Sequence, residues 1–313
     1  MRIAVLGAGA MGCIFGAALT EAELDTVLVD VSGPLVKRLN SQGVTVIRDG
    51  EERHVAVRAT SDPSSLGVVD LALLLVKSYH TKPAASLVRP SVGPETVVAS
   101  LQNGWGNGDV LAEVFRPEQV VLGVTYNSGT VLDLGRVAHG QKGKGPCIVG
   151  PCAGDGLAGA ERLAEALRVA GFPATVTRDI GTAIWKKLVV TVAANAVSAL
   201  TGYASRPLGE DPDMLELMDC LAREAVAVAR AAGFDLDEEE RLASTREAVI
   251  AAGQGRASML QDLETGRRTE IDVINGAVVR EADARGIDVP LNRAIFALVK
   301  GYERAHGLVE QGA

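Results

Sequence analysis

The chain opens on a short apolar run, Arg2 to Leu6, rich in β-forming residues and long enough for one buried parallel strand. Ile14 to Leu19 reads as a helix and Thr26 to Asp30 as a second strand. Helical Pro34 to Ser41 leads into VTVIRDGEERHVAVRAT, two alternating runs around Asp49-Gly50, which is a hairpin signal. Val69 to Val76, Thr96 to Leu101 and Val120 to Tyr126 are further apolar strands. Arg136 to His139 and Cys147 to Val149 are predicted as a second hairpin, across a mobile Gly/Lys turn from Gln141 to Gly145. Gly156 to Ala170 reads as a helix and Ala174 to Thr177 as a short strand.

At about Asp179 the strand-like runs stop. Ala183 to Leu200, Asp213 to Ala232, Glu238 to Gly253, Thr269 to Arg285 and Asn292 to His306 all carry apolar residues at three- and four-residue spacing. Gly233, Gly253, Gly266 and Gly286 punctuate them. No solenoid-type repeat and no low-complexity linker interrupts the pattern.

The turn between the first strand and helix holds Gly7, Gly9 and Gly12 in G-x-G-x-x-G spacing. Gly7 permits the tight turn, Gly9 removes a Cβ where backbone must approach a pyrophosphate, and Gly12 lets the helix pack closely on the strand. The helix start offers unpaired N–H groups and a positive dipole end to phosphates. Asp30 ends the second strand eighteen residues after Gly12, about where an acid binds ribose hydroxyls. The expected fold is therefore α/β: an N-terminal Rossmann-type doubly wound sheet over residues 1–179, plus a C-terminal all-helical domain over 180–313. The active site is expected in the cleft between these domains.

Composition narrows the classes. The 313 residues are 47% apolar and 22% charged, with no run of eighteen apolar residues, as in a soluble globular protein. Met1 leads straight into a strand, which argues against a signal peptide. A net charge of −8 disfavours nucleic acid and anionic membrane as partners. Cys13, Cys147, Cys152 and Cys220 are scattered without metal-ligand spacing, so buried thiols in a reducing, cytoplasmic compartment are expected and no metal site.

A dinucleotide domain joined to a helical one suggests hydride transfer, and some side chain must then handle the substrate oxygen's proton. His54, His80, His139 and His306 show no visible relay with a carboxylate. In IGTAIWKKLVVTVAANAVSAL, Lys187, Thr191 and Asn195 recur every four residues and fan over roughly 80° of one helical face. A partly desolvated lysine has a lowered pKa and becomes a usable acid. Spacing alone leaves an ordinary solvated lysine equally open. Ser258, Gln261 and Asp262 share another face, and Glu270 precedes the stripe Ile271, Ile274, Val278. Taken alone, these read as helix-surface polarity and a carboxylate at a helix start.

These stretches together resemble the ketopantoate reductase (2-dehydropantoate 2-reductase) family. The likeness runs through GAGAMG, the strand ends VKSYH and QNGWG, GVTYNSG with RVAHGQKG, then IWKKL, SMLQD, RRTEIDVINGAVV and GIDVPLN. The resemblance implies reduction of a 2-oxo acid to a D-2-hydroxy acid by NAD(P)H, by default ketopantoate to pantoate for coenzyme A synthesis. It implies Lys187 as proton donor and Glu270 as an acid near the lysine and the cofactor. Asn103, Thr191, Asn195 and Ser258 fall at substrate positions. Cofactor contacts are implied at Gly7, Ala8, Gly9, Ala10, Met11, Gly12, Asp30, Lys77, Asn103 and Gly129, with Glu270 beside them.

Two departures bear on substrate and cofactor. Thr191 stands where family members usually carry asparagine, offering one hydroxyl rather than an amide pair. Asp30 stands where NADPH-using members tend to place a cation, and would repel a 2′-phosphate, which favours NADH. Lys37 and Arg38 on the next helix would meet that phosphate only by reaching back. An NAD-dependent D-2-hydroxy acid dehydrogenase for another branched or aromatic substrate is the alternative. A non-catalytic dinucleotide-binding redox sensor is disfavoured by the presence of both Lys187 and Glu270. The helical domain's long apolar stripes suggest a homodimer.

Overall fold

A computed structural model describes residues 1–140, 144–154 and 156–309. The chain forms two compact units, Met1–Gln102 with Asn107–Ile180, and Asn103–Gly106 with Gly181–Ala313.

In the first unit the strands are β1 (Arg2–Leu6), β2 (Asp25–Val29), β3 (Val44–Arg48), β4 (Glu51–Val55), β5 (Arg58–Thr60) and β6 (Val69–Leu74). They continue as β7 (Val92–Ser100), β8 (Val120–Thr125), β9 (Gly129–Asp133), β10 (Arg136–His139), β11 (Cys147–Pro151) and β12 (Ala174–Val176). Helices α1 (Ala10–Glu21), α2 (Gly33–Gln42), α3 (Thr81–Val88), α4 (Asn107–Ala112) and α5 (Leu157–Val169) lie between them. The large sheet runs β12-β11-β8-β7-β6-β1-β2-β5, parallel throughout except where β11 pairs antiparallel with β8. Alternation along the strands feeds two cores. Ile3, Val5 and Leu71 pack with Phe15 and Leu19 of α1, while Ala4, Leu6 and Ala72 pack with Ala85 and Val88 of α3.

From β1 the chain proceeds to β2 on one side and later returns to β6 on the other. The sheet therefore has its topological switch point between β1 and β6, where ligands bind beyond the strands' carboxyl ends. The glycine loop follows β1, and Lys77 follows β6 at the start of the turn Ser78–His80.

A second sheet runs β4-β3-β10-β9. Asp49 and Gly50, at φ 53° and 81°, make the two-residue turn that joins β3 to β4. The hairpin expected between Arg136–His139 and Cys147–Val149 does not form. Strand β10 pairs parallel with β3 and antiparallel with β9, whereas β11 enters the large sheet between β8 and β12. The antiparallel partner of β10 is β9, a strand that was not among those expected from the sequence. Gln141, Lys142 and Gly143 of the expected turn lie outside the described residues.

The second unit comprises α6 (Ile180–Thr201), α7 (Ser205–Glu210), α8 (Pro212–Ala231), α9 (Glu238–Ala251), α10 (Ser258–Glu264), α11 (Asn275–Asp283) and α12 (Pro290–Ala305). Helix α8 starts at Pro212 because the Asp211 carboxylate accepts the Asp213 and Met214 N–H groups, and Asp237 caps α9 in the same way. Helix α6 has the length and mean hydropathy (22 residues, 1.3) of a membrane span, but it packs as a core helix. Its Trp185, Val189, Val192 and Ala196 lie in the apolar centre of this unit. Buried asparagines also anchor it: Asn275 Nδ2 donates to Val192 O and to Asn292 Oδ1, and Asn292 Nδ2 donates to Glu224.

The helix expected over Thr269–Arg285 is broken. A 3₁₀ turn spans Ile271–Val273 and α11 starts only at Asn275, after Ile274 leaves helical geometry at φ −104°, ψ −99°. The break leaves the Val273 carbonyl able to accept the Trp105 N–H at 2.9 Å.

Cys13 lies buried in α1, its thiol donating to the Ala8 carbonyl at 3.2 Å. Burial, with the Asp30 carboxylate adding to it, pushes the thiol up to about 12. Cys13 should stay unmodified by a thiol reagent at about pH 8 in the native protein and react only after unfolding, as peptide mass spectrometry would show.

Candidate active site

The glycine loop is built by steric exclusion. A Cβ on Gly12 would sit 1.7 Å from the Gly7 carbonyl oxygen, so α1 begins tightly against the loop's own backbone. The close approach to a strand occurs further along the helix, where a Cβ on Gly16 would come within 3.0 Å of Leu28 of β2. Gly7 adopts φ +92°, with Val76 at 2.8 Å from the place of a Cβ, a conformation and a gap open only to glycine. At Gly9 a Cβ would meet nothing within 4 Å. The space beside Gly9, at the start of α1, is therefore open.

Asp30 closes the cradle. Its carboxylate accepts the Ala8 N–H at 2.8 Å and the Ser32 N–H at 2.9 Å, which fixes it beside the loop. These bonds leave carboxylate lone pairs for a diol. Arg38 is placed differently: its side chain runs beside Gly135, in the turn between β9 and β10. Gly129 backs onto α1, since a Cβ there would meet Ile14 at 2.6 Å and Ala10 at 3.1 Å. Its smallness thus has a packing reason within the same unit.

The helical unit carries the other group of polar residues. Lys187, Thr191 and Asn195 form a half-buried stripe along α6. Lys187 Nζ donates to Asn103 Oδ1 at 2.6 Å, a charge-assisted bond. Asn195 Nδ2 donates to Ser258 Oγ, at the first residue of α10, at 3.2 Å. The Thr191 hydroxyl donates to the Lys187 carbonyl at 3.0 Å, so its one proton is used within the helix. Glu270 is 8% exposed and stands directly before the 3₁₀ turn, at φ −99°, ψ 26°. This is the sparsely populated region where many active-site residues sit.

Asn103 follows β7 in sequence, yet its loop belongs to the helical unit. Trp105 fastens it there. Its indole N–H donates to Glu281 at 2.9 Å, and its ring lies 5.4 Å from Trp185 and 5.3 Å from Phe234. Gly104 at φ +92° lies so near Val273 that a Cβ would come within 2.5 Å of its carbonyl oxygen. The apolar pattern puts QNGWG at a strand end and the resemblance puts Asn103 at the cofactor and substrate, but neither points to Trp105 docking the loop among the helices. An aromatic residue between two glycines was the available signal that the loop docks somewhere.

A dinucleotide cradle at a sheet switch point, with a half-buried lysine on a separate helical unit, defines a nicotinamide-dependent oxidoreductase. Comparison with known proteins narrows this. The sequence profile of ketopantoate reductase PanE/ApbA matches residues 3–154, and that of its C-terminal region matches residues 179–303. The chain belongs to the ketopantoate reductase family. It is 34% identical to the 2-dehydropantoate 2-reductase of Archaeoglobus fulgidus, covering 96% of this chain and 98% of that one. It is 33% identical to the enzyme of that name from Halobacterium salinarum, covering 97% and 99%. Among solved structures, a ternary complex of D-mandelate dehydrogenase with NADH and anilino(oxo)acetate matches with a TM-score of 0.94 at 25% identity, covering 99% and 100%. The PanE/ApbA family ketopantoate reductase of Ralstonia eutropha matches at 0.88 and 32%, covering 98% and 100%.

Two glycine substitutions separate the functions of these loops. Gly9→Ala should leave the melting temperature within about 2 °C of wild type and weaken cofactor binding about tenfold or more, as read by nicotinamide fluorescence. Gly104→Ala should lower turnover at least about tenfold, because Val273 must move and Asn103 with it, and should weaken cofactor binding less than Gly9→Ala does.

Proposed function

We propose that the protein reduces a 2-oxo acid to a D-2-hydroxy acid, with ketopantoate as the default substrate. The observation that carries this is the Lys187–Asn103 pair at 2.6 Å on a half-buried polar stripe. Bound at Gly7 to Gly12, Asp30, Lys77 and Asn103, the nicotinamide cofactor would supply the hydride. Lys187 polarises the keto oxygen and gives it a proton as it becomes an alkoxide. Asn103 takes one ammonium proton into a fixed bond, which sets the direction of the others. Asn195 and Ser258 hold the substrate's polar groups at the far end of the stripe. The Glu270 carboxylate favours the charged ammonium form of the lysine, which regains its proton from solvent between turnovers. The cytoplasm and a homodimer paired through the helical unit complete this reading.

NADH is the proposed reductant. The Asp30 carboxylate, held by Ala8 and Ser32, is a like charge for a 2′-phosphate and an acceptor for two hydroxyls. A second reading, an NAD-dependent D-2-hydroxy acid dehydrogenase for a bulkier substrate, is favoured by Thr191. Its proton is already engaged by the Lys187 carbonyl, so it is a poor donor to a substrate hydroxyl.

Initial rates on the purified protein test both readings. Ketopantoate should be turned over, with kcat/KM for NADH exceeding that for NADPH by at least about tenfold, equivalent to about 1.4 kcal/mol. A preference for NADPH would overturn the role given to Asp30. Inertness toward ketopantoate together with turnover of phenylglyoxylate would move the assignment to the second reading.

A further inference from the structure

The residues on both sides of Glu270 are tied to the last helix of the chain. Glu303, on α12, is completely buried. Its Oε1 accepts both the Thr269 N–H at 2.8 Å and the Thr269 hydroxyl at 2.6 Å. Thr269 Oγ1 in turn accepts the Ile271 N–H at 3.2 Å. A single carboxylate oxygen therefore governs the backbone immediately before and after Glu270.

Charge compensation for Glu303 comes from its own helix, α12. Lys300 Nζ lies 3.3 Å from Glu303 Oε2 and 3.2 Å from Asp272 Oδ2. Arg268 Nη2 reaches the same Asp272 oxygen at 3.0 Å, and Arg280 donates to the Asp272 carbonyl at 2.6 Å. On its other side the segment is held by the Trp105 N–H on Val273. A fully buried carboxylate is costly, and an apolar residue would often serve stability better. The carboxylate supplies a fixed acceptor for two donors of one residue, which an apolar side chain cannot.

We propose that Glu303 is a positioning residue for the reaction: acting through Thr269, it sets where the Glu270 carboxylate stands. The inference rests on the reading of Glu270 given above. It assigns to α12, far along the chain from the lysine, a part in the chemistry as well as in packing.

A double-mutant cycle on the full-length protein tests it, using wild type, Glu303→Gln, Glu270→Gln and the double variant. Turnover of the 2-oxo acid and cofactor affinity are measured for each. Glu303→Gln should lower kcat about tenfold with the cofactor Kd changed less than about twofold, and should have less than about a twofold effect on kcat when Glu270 is already glutamine. Equal losses in both backgrounds would reduce Glu303 to a structural residue and overturn the proposal, as would wild-type turnover in Glu303→Gln. Undiminished turnover in Glu270→Gln would instead overturn the role of Glu270 itself, and the positioning role with it. Should Glu303→Gln not fold, Thr269→Val removes the bridging hydroxyl, and the same cycle with the same outcomes applies.

Discussion

The arrangement of the helical unit depends on one requirement: an ammonium group must be kept half out of water and still be held in place. A lysine so placed needs an acceptor aimed at it, and Asn103 Oδ1 at 2.6 Å provides one. Asn103 can do so only because its loop leaves the sheet and docks among the helices. That docking needs Trp105 against Trp185 and Phe234, a glycine at 104, and a carbonyl at Val273 freed by the break before α11. The asparagine chain from Glu224 through Asn292 and Asn275 to the Val192 carbonyl also holds α6. The aromatic cluster, the helix break and the buried amides thus all converge on the helix that bears the lysine.

The first unit follows a different logic, because its site is mostly backbone. Phosphate recognition at the start of α1 requires that side chains be absent: a Cβ would clash at Gly7 and at Gly12, and beside Gly9 the space is open. Such a site is written in consecutive residues. This is why the β1–glycine loop–α1–β2 succession and Asp30 were legible from the sequence, whereas the partners of Lys187 were not. The stripe of Lys187, Thr191 and Asn195 was visible as helical spacing. Its tertiary partners, Asn103 and Ser258, could be named only through resemblance to a family, since no local pattern connects them to α6.

The misread elements fail for the same physical reason. Alternation in Arg136–His139 and Cys147–Val149 identifies strands but does not choose their neighbours, and β10 took β3 and β9 in place of β11. The helical spacing over Thr269–Arg285 is genuine on the apolar side. The break at Ile274 is favoured by a hydrogen bond from Trp105, far earlier in the chain, and by the Glu303–Thr269 anchor from α12. Long-range polar bonds decided what apolar periodicity left open.

The most direct test of the lysine's role is Lys187→Ala, followed by single-turnover reduction with bound cofactor. If Lys187 delivers the proton, hydride transfer should slow by about a hundredfold or more while the cofactor Kd stays within about twofold of wild type. Turnover within about threefold of wild type would show that another group protonates the substrate, and the role assigned to the Asn103-held ammonium would fall.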